Sequence, residues 1–408
     1  MYRHILVALD GSEPSRWAGQ AALELAAATK ARVTACHVYG VGIHRIRFSD
    51  MEPGLPTEYQ QEATLADLRS AHDRLMDEGF RALSAGYVED FIASSAERGM
   101  AVESATVEGR SYVGILDLAR RCKADLIALG AYGLGAIGDN MLGGTTSRVL
   151  RNAPCDLLIG RRPPGNGPIL VGVDGSDIAL EAVGRAAHLG RATDKPLHMT
   201  AVYDPDFHTH VFQTMARSLT AQRQEEVGLA GQEKLHDDII NDGLGNLYAS
   251  FLSEAQRHVD GDDQTITQHL LTGKAYAALN ACAMDLDAAL IVVSRYGHHR
   301  EHCSRLGSNA EALVRTASAN VLLIGGVESS QRPAQPIKEI TATTPKRTSV
   351  AWDAEAEARL QRVPSFARIM ARRAVENAVR DAGKSTVSAA DFDAVAAQFG
   401  MGPPRGSQ

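Results

Sequence analysis

Residues 124–160 read ADLIALGAYGLGAIGDNMLGGTTSRVLRNAPCDLLIG. The apolar run Leu126–Leu129 predicts a strand buried on both faces, and it leads into Gly130, Ala131, Tyr132 and Gly133. After nine intervening residues come Gly143, Gly144, Thr145 and Thr146, which open an amphipathic helix around Val149 and Leu150. A second strand, Leu157–Ile159, follows. Glycines let a backbone approach an anion closely, hydroxyls donate to it, and a helix N-terminus offers unpaired N–H groups and a positive dipole end. The stretch therefore reads as a phosphate cradle, with a fold-keeping turn as the plainer alternative.

The chain carries this unit twice. HILVALDGSEPS at residue 4 returns as PILVGVDGSDIA at residue 168, so Asp10 matches Asp174. Val38 with Val202, Gly109 with Gly273, Gly133 with Gly297, Gly143 with Gly307 and Arg151 with Arg315 keep the same offset of 164 residues. A constant offset means a tandem duplication with almost no net insertion. Each copy alternates strand and helix: Ile5–Leu9, a helix from about Pro14 to Thr29, Val33–Val38, a long helical stretch over Thr57–Arg98, Val102–Val107, and a helix over Tyr112–Cys122 before the cradle. Alternation with buried strands predicts two α/β doubly wound parallel five-stranded sheets. Ligands on such sheets bind at the carboxyl ends of the strands. The expected domains are residues 1–162 and 167–326, then a flexible linker at 327–349 and a small all-α domain at 350–400.

The spacing of glycines in the first copy resembles the ATP-binding motif of universal stress proteins: Gly, two residues, Gly, nine residues, Gly, then Ser or Thr. Gly130, Gly133 and Gly143 fit, whereas Gly144 stands where that family has a hydroxyl, with Thr145 and Thr146 as conjectured replacements. The resemblance covers about residues 2–162 and 167–326, and it implies the strand order 3-2-1-4-5 in each sheet. It implies an adenine nucleotide, ATP with or without Mg2+, beside Ala8, Leu9, Asp10 and Val38, with Gly130, Gly133, Gly143, Gly144 and Thr145 at ribose and phosphates. In the second copy it implies Gly172, Val173, Asp174, Val202, Ser294, Gly297, Gly307, Ser308 and Asn309. Ser294 replaces the first glycine there, while Gly307-Ser308 keeps the phosphate end. Either aspartate also suits an Asx turn or helix cap, and the two roles are compatible. Two sites, one or none are all open; at least one is expected.

Other patterns carry less. Gly133-Leu134-Gly135-Ala136-Ile137-Gly138 matches GxGxxG, but it follows a fourth strand and has no counterpart in copy two, so the dinucleotide reading fails. GGTTSR has no Walker lysine. His298-His299-Arg300-Glu301-His302-Cys303 matches no standard metal spacing, and no metal is expected. No residue pattern marks a general base, so catalytic residues are not assigned and any ATP hydrolysis would be slow.

The net charge of −7 argues against a nucleic-acid partner. From Pro333 onward, eleven Lys/Arg face eight Asp/Glu, so the tail differs in sign from the body. Five cysteines without CxxC spacing suit reduced thiols. No apolar run is long enough for a bilayer and a strand begins at Ile5, so a cytoplasmic protein without membrane partner is expected. In the tail, Trp352, Leu360, Pro364-Ser365-Phe366, Arg368, Glu376, Gly383, Val387 and Asp391 resemble the small C-terminal module of the light-independent protochlorophyllide reductase B subunit. That implies a borrowed helical module for docking an unknown protein partner, not reductase activity. Pro364 suits a first turn, Phe366, Ile369, Val375 and Val379 give an apolar side, Gly383 stops the helix, and Ser388 with Asp391 forms a capping box. The fifth strands, Leu157–Ile159 and Val321–Leu323, are edges; in the resembled family such edges pair antiparallel. An intrachain pseudo-dimer is therefore expected, with a homodimer of chains beyond it. The functional expectation is a nucleotide-binding stress or signalling protein, against a scaffold without nucleotide or a slow ATP hydrolase.

Overall fold

The computed structural model describes residues 1–59, 61–134, 142–229, 231, 243–259, 264–297, 306–326, 351–361, 372, 375–376, 378–379 and 382–398. The linker 327–349, the 298–303 histidine loop, Pro364, Phe366, Arg368, Ile369 and Phe399 lie outside them. The chain falls into two compact units, residues 1–49 with 66–330 and residues 50–65 with 331–408.

The larger unit is one ten-stranded sheet of order β3-β2-β1-β4-β5-β10-β9-β6-β7-β8. Copy one supplies β1 (His4–Ala8), β2 (Arg32–Tyr39), β3 (Val102–Glu108), β4 (Leu126–Gly130) and β5 (Asp156–Gly160). Copy two supplies β6 (Ile169–Val173), β7 (Leu197–Tyr203), β8 (Ile266–Thr272), β9 (Leu290–Ser294) and β10 (Asn320–Ile324). Within each copy the strands are parallel in the expected 3-2-1-4-5 order. The copies meet where β5 and β10 pair antiparallel, Ile159 opposite Val321 and Leu157 opposite Leu323. This pairing removes both fifth-strand edges from solvent, so β3 and β8 are the outer strands of the described sheet.

The duplication extends to backbone detail. The helix Glu13–Thr29 is capped by Ser12, whose hydroxyl accepts from the Ser15 N–H, and ends at Lys30 with φ 57°. The helix Asp177–Thr193 is capped by Ser176 and ends at Asp194 with φ 55°. Lys123 (φ 53°) and Asp287 (φ 47°) form a second such pair at the same offset. Left-handed backbone is costly for residues with a Cβ, and both copies keep it where a helix stops and the chain turns back to the sheet. One apolar core lies on each face of the sheet, and each core draws residues from both copies across the β5–β10 join.

Side chains reinforce that join. Asp156 accepts from the Tyr2 hydroxyl at 2.8 Å and from the Gly325 N–H at 2.8 Å, and pairs with Arg185 of copy two at 2.9 Å. Burial pushes the Asp156 carboxyl above the ordinary aspartate value, against the pull of Arg185. Its counterpart Asn320 accepts from the Arg161 and Arg162 N–H groups. Arg161 donates to the Val314 and Arg315 carbonyls at the end of the helix Ser308–Thr316. The matching Leu150 carbonyl, near the end of the helix Gly144–Asn152, accepts instead from Arg295. Two helix ends related by the duplication are thus satisfied by arginines from unrelated positions, each reaching across from the other copy.

The smaller unit is helical, as expected, with one short strand ladder added. Its helices Ala354–Gln361 and Ala389–Gln398 accompany a short parallel ladder of Ala351–Trp352 with Thr386–Val387. Ala356, Leu360, Val375, Val379, Val387, Phe392 and Val395 form its core. Ser388 and Asp391 make the reciprocal capping box, Ser388 N–H to Asp391 at 3.0 Å and Asp391 N–H to Ser388 at 3.3 Å. Gly383 takes φ 71° at the turn. The ladder was not legible because a two-residue strand carries no periodicity.

Candidate nucleotide site

All nine residues singled out in copy one line a single cavity of about 510 Å³: Ala8, Leu9, Asp10, Val38, Gly130, Gly133, Gly143, Gly144 and Thr145. The cavity opens where β1, β2 and β4 end, because those carboxyl ends are where the doubly wound topology leaves a crevice. Its size falls within the roughly 300–1,000 Å³ of small-molecule sites. Ala8, Val38, Ile115 and Leu129 give it apolar walls.

Asp10 holds the turn that follows β1. Its Oδ1 accepts from the Ser12 N–H at 3.1 Å and from the Ser12 hydroxyl at 2.5 Å. The Asx-turn reading is therefore correct, and Ser12 rather than Asp10 is the helix cap. The other oxygen, Oδ2, lies against Gly133, in the space a Cβ there would need. Gly130 has no such room either: a Cβ would meet the Ser15 backbone nitrogen at 2.6 Å. The helix Gly144–Asn152 starts after Gly143 with no side-chain cap, so its first N–H groups face the cavity that Gly143, Gly144 and Thr145 line.

One conjecture is corrected. The Thr146 hydroxyl is buried and donates to the Gly130 carbonyl at 2.7 Å, bracing the cradle from behind. It does not stand in for the missing hydroxyl at position 144.

The cavity also takes residues that sequence reasoning passed over: Ser15, Cys36, His37, Ser111, Ile115, Leu129 and Leu142. Ser111 begins the helix after Gly109, at the end of β3, so the edge rule alone points to it. The His37 Nδ1 donates to the Leu9 carbonyl at 2.6 Å, which fixes the ring against the β1 end. Tyr87, from the helix Glu62–Ala96, meets His37 edge-on at 5.2 Å between ring centroids.

Copy two repeats the frame with altered contents. Gly172 and Val173 end β6, Val202 lies in β7, and Asp174 accepts from the Ser176 N–H and hydroxyl. A Cβ on Gly297 would come 2.7 Å from Asp174 Oδ2. Ser294 ends β9, and Gly307 precedes Ser308 and Asn309 in the first turn of their helix. The difference lies next to Ser294. Arg295 takes the place of Ala131, is fully buried, and donates to the Gly325, Leu150 and Cys155 carbonyls. Burial draws its pKa below the ordinary arginine value. Near Gly172, Leu279 lies 3.4 Å from the position of a Cβ. Glycine spacing could not reveal that buried cation.

A doubly wound sheet built twice in one chain, with a glycine-lined cavity at the carboxyl edge of the first copy, defines a class of tandem α/β protein. The sequence profile of the Universal stress protein family matches residues 1–161 and 165–325, and the chain belongs to that family. The profile of the Proto-chlorophyllide reductase 57 kD subunit matches residues 352–395. A universal stress protein of Thermus aquaticus is 32% identical over 162 residues, spanning 40% of this chain and all of the relative. One from Methanocaldococcus jannaschii is 30% identical over 165 residues, 40% of this chain and 84% of the relative. The solved structure of a functionally unknown protein of Pseudomonas aeruginosa PAO1 covers 80% of this chain and 93% of its own, with a TM-score of 0.50 and 16% identity. It shares the fold. Among the described residues, no helix is long and apolar enough to cross a membrane.

Proposed function

We propose that copy one binds ATP, base between the apolar walls and phosphates at the start of the helix Gly144–Asn152. The observation that carries this reading is that the nine residues implied by the family resemblance line one cavity of fitting size. The donors suit phosphate: uncapped backbone N–H groups, the Thr145 hydroxyl and close glycine backbone. Any Mg2+ would sit with the phosphates, since Asp10 is the only carboxylate among the described lining residues. Copy two serves chiefly as the structural half, with Arg295 committed to the join. Bound nucleotide would change the surface around the cavity that a protein partner in the cytoplasm reads. The tail is a docking module, and a homodimer of chains would use surfaces other than the fifth strands.

Calorimetric titration of the full chain with ATP tests this. One equivalent of ATP is expected, lost in Gly133→Val and retained in Gly297→Val. Equal heats for wild type and the double variant would reject cradle binding. A scaffold without nucleotide, favoured by Gly144 and Ser294, predicts no heat from any variant and no adenine nucleotide in mass spectra of the purified protein.

A further inference from the structure

The cavity has a charge problem. A triphosphate brings several negative charges, yet no lysine or arginine is among the described residues lining the cavity. The sequence between Gly133 and Gly143 holds none either. Helix N–H groups offset part of such a charge, roughly half a unit at one helix end.

Arg148 stands next to this gap. Its Nη1 donates to the Gly144 carbonyl at 3.3 Å, and its Cζ lies 5.4 Å from the centre of the Tyr112 ring. Tyr112 adjoins Ser111, and both Ser111 and Gly144 line the cavity. The guanidinium is thus held between the two helices that flank the phosphate end. A Cβ at residue 144 would lie 3.3 Å from Nη1, so a side chain there would press on the guanidinium in its present position. Copy two makes the opposite pair of choices. Ser308 replaces Gly144 and Ala312 replaces Arg148, while Tyr276 keeps the place of Tyr112. Hydroxyl and guanidinium exchange together, within one chain, at positions four residues apart on one helix face.

We infer that Arg148 is the phosphate-reading residue of copy one, its guanidinium taking the role that a hydroxyl at position 144 would otherwise fill. The inference rests on the nucleotide reading above and refines it. Adenosine and the α-phosphate are held by the glycine cradle. Arg148 reaches the outer phosphates by a side-chain rotation at an exposed position. The site therefore ranks ATP above ADP above AMP by charge rather than by shape. A planar donor fork suits paired phosphate oxygens better than an ammonium does.

The experiment is calorimetry of the full chain with adenosine, AMP and ATP, on wild type, Arg148→Ala, Arg148→Lys and the pair Gly144→Ser with Arg148→Ala. Arg148→Ala is expected to weaken ATP roughly ten-fold, the scale of a charge-assisted hydrogen bond, and to leave AMP and adenosine unchanged. Arg148→Lys recovers only part, and the pair, which installs the arrangement of copy two, recovers more than Arg148→Ala alone. An unchanged ATP-to-AMP affinity ratio in Arg148→Ala overturns this inference alone. No ATP binding by the wild-type chain overturns the nucleotide reading and this inference with it. Thermal melting of Arg148→Ala close to wild type separates a ligand effect from a folding one.

Discussion

Asp10 Oδ2 occupies the space that a Cβ on Gly133 would need, and Asp174 stands in the same relation to Gly297. Each pair ties the turn after a first strand to the loop after a fourth strand. The glycine is required there by contact with a carboxylate, since no left-handed backbone demands it.

Gly133→Ala should therefore cost about 1–3 kcal/mol of stability by overpacking, and less in a protein that already carries Asp10→Ala. Urea denaturation of the two single variants and the double variant measures the coupling. Strict additivity would show that the two residues do not press on one another.

Asp156 joins the copies through Arg185, Tyr2 and Gly325. Asp156→Ala leaves the half-buried Arg185 guanidinium with Glu181 as its remaining acidic partner and strands the buried Tyr2 hydroxyl, so a loss of about 3 kcal/mol is expected. Adding Arg185→Met should restore part of it, because the desolvated charge then goes too. Urea midpoints at fixed slope report both.

Glu311 accepts from Arg315 at 2.8 Å and from Arg151 of the other copy at 2.6 Å. The Arg315 hydrogen bond leads in holding its carboxyl below the ordinary glutamate value. A depressed folded-state pKa gives stability that is present above the unfolded value and lost as pH falls through the folded one. The pair is largely exposed, so the contribution is about 0.5 kcal/mol. The stability gap between wild type and Glu311→Gln should be open at neutral pH and closed in acid, as read by urea denaturation at both.

Cys36 and Cys155 have thiols pushed up to about 12, in each case chiefly by burial. Almost no thiolate exists at neutral pH, and thiolate is the reactive form. Thiol reagents should leave both unmodified in the native chain and label them after unfolding. Peptide mapping by mass spectrometry distinguishes the sites, and rapid native labelling of Cys36 would mean that the cavity wall opens.

The amino-acid sequence by itself determined the duplicated α/β plan and the glycine frame of the first cavity, while the strand order and the other lining residues came from its resemblance to a known family. The plan and the glycine frame are written in local pattern: continuous apolar runs, glycines at fixed spacing, and a constant offset between landmarks. The tertiary structure alone decided which residues work across the join. Arg161 and Arg295 serve equivalent helix ends from unrelated positions, Thr146 commits its hydroxyl to the Gly130 carbonyl, and Arg148 folds onto Gly144. Such partnerships depend on which buried carbonyl lacks a donor and which neighbour leaves room. Both are set only once distant segments have packed, and no local periodicity carries them.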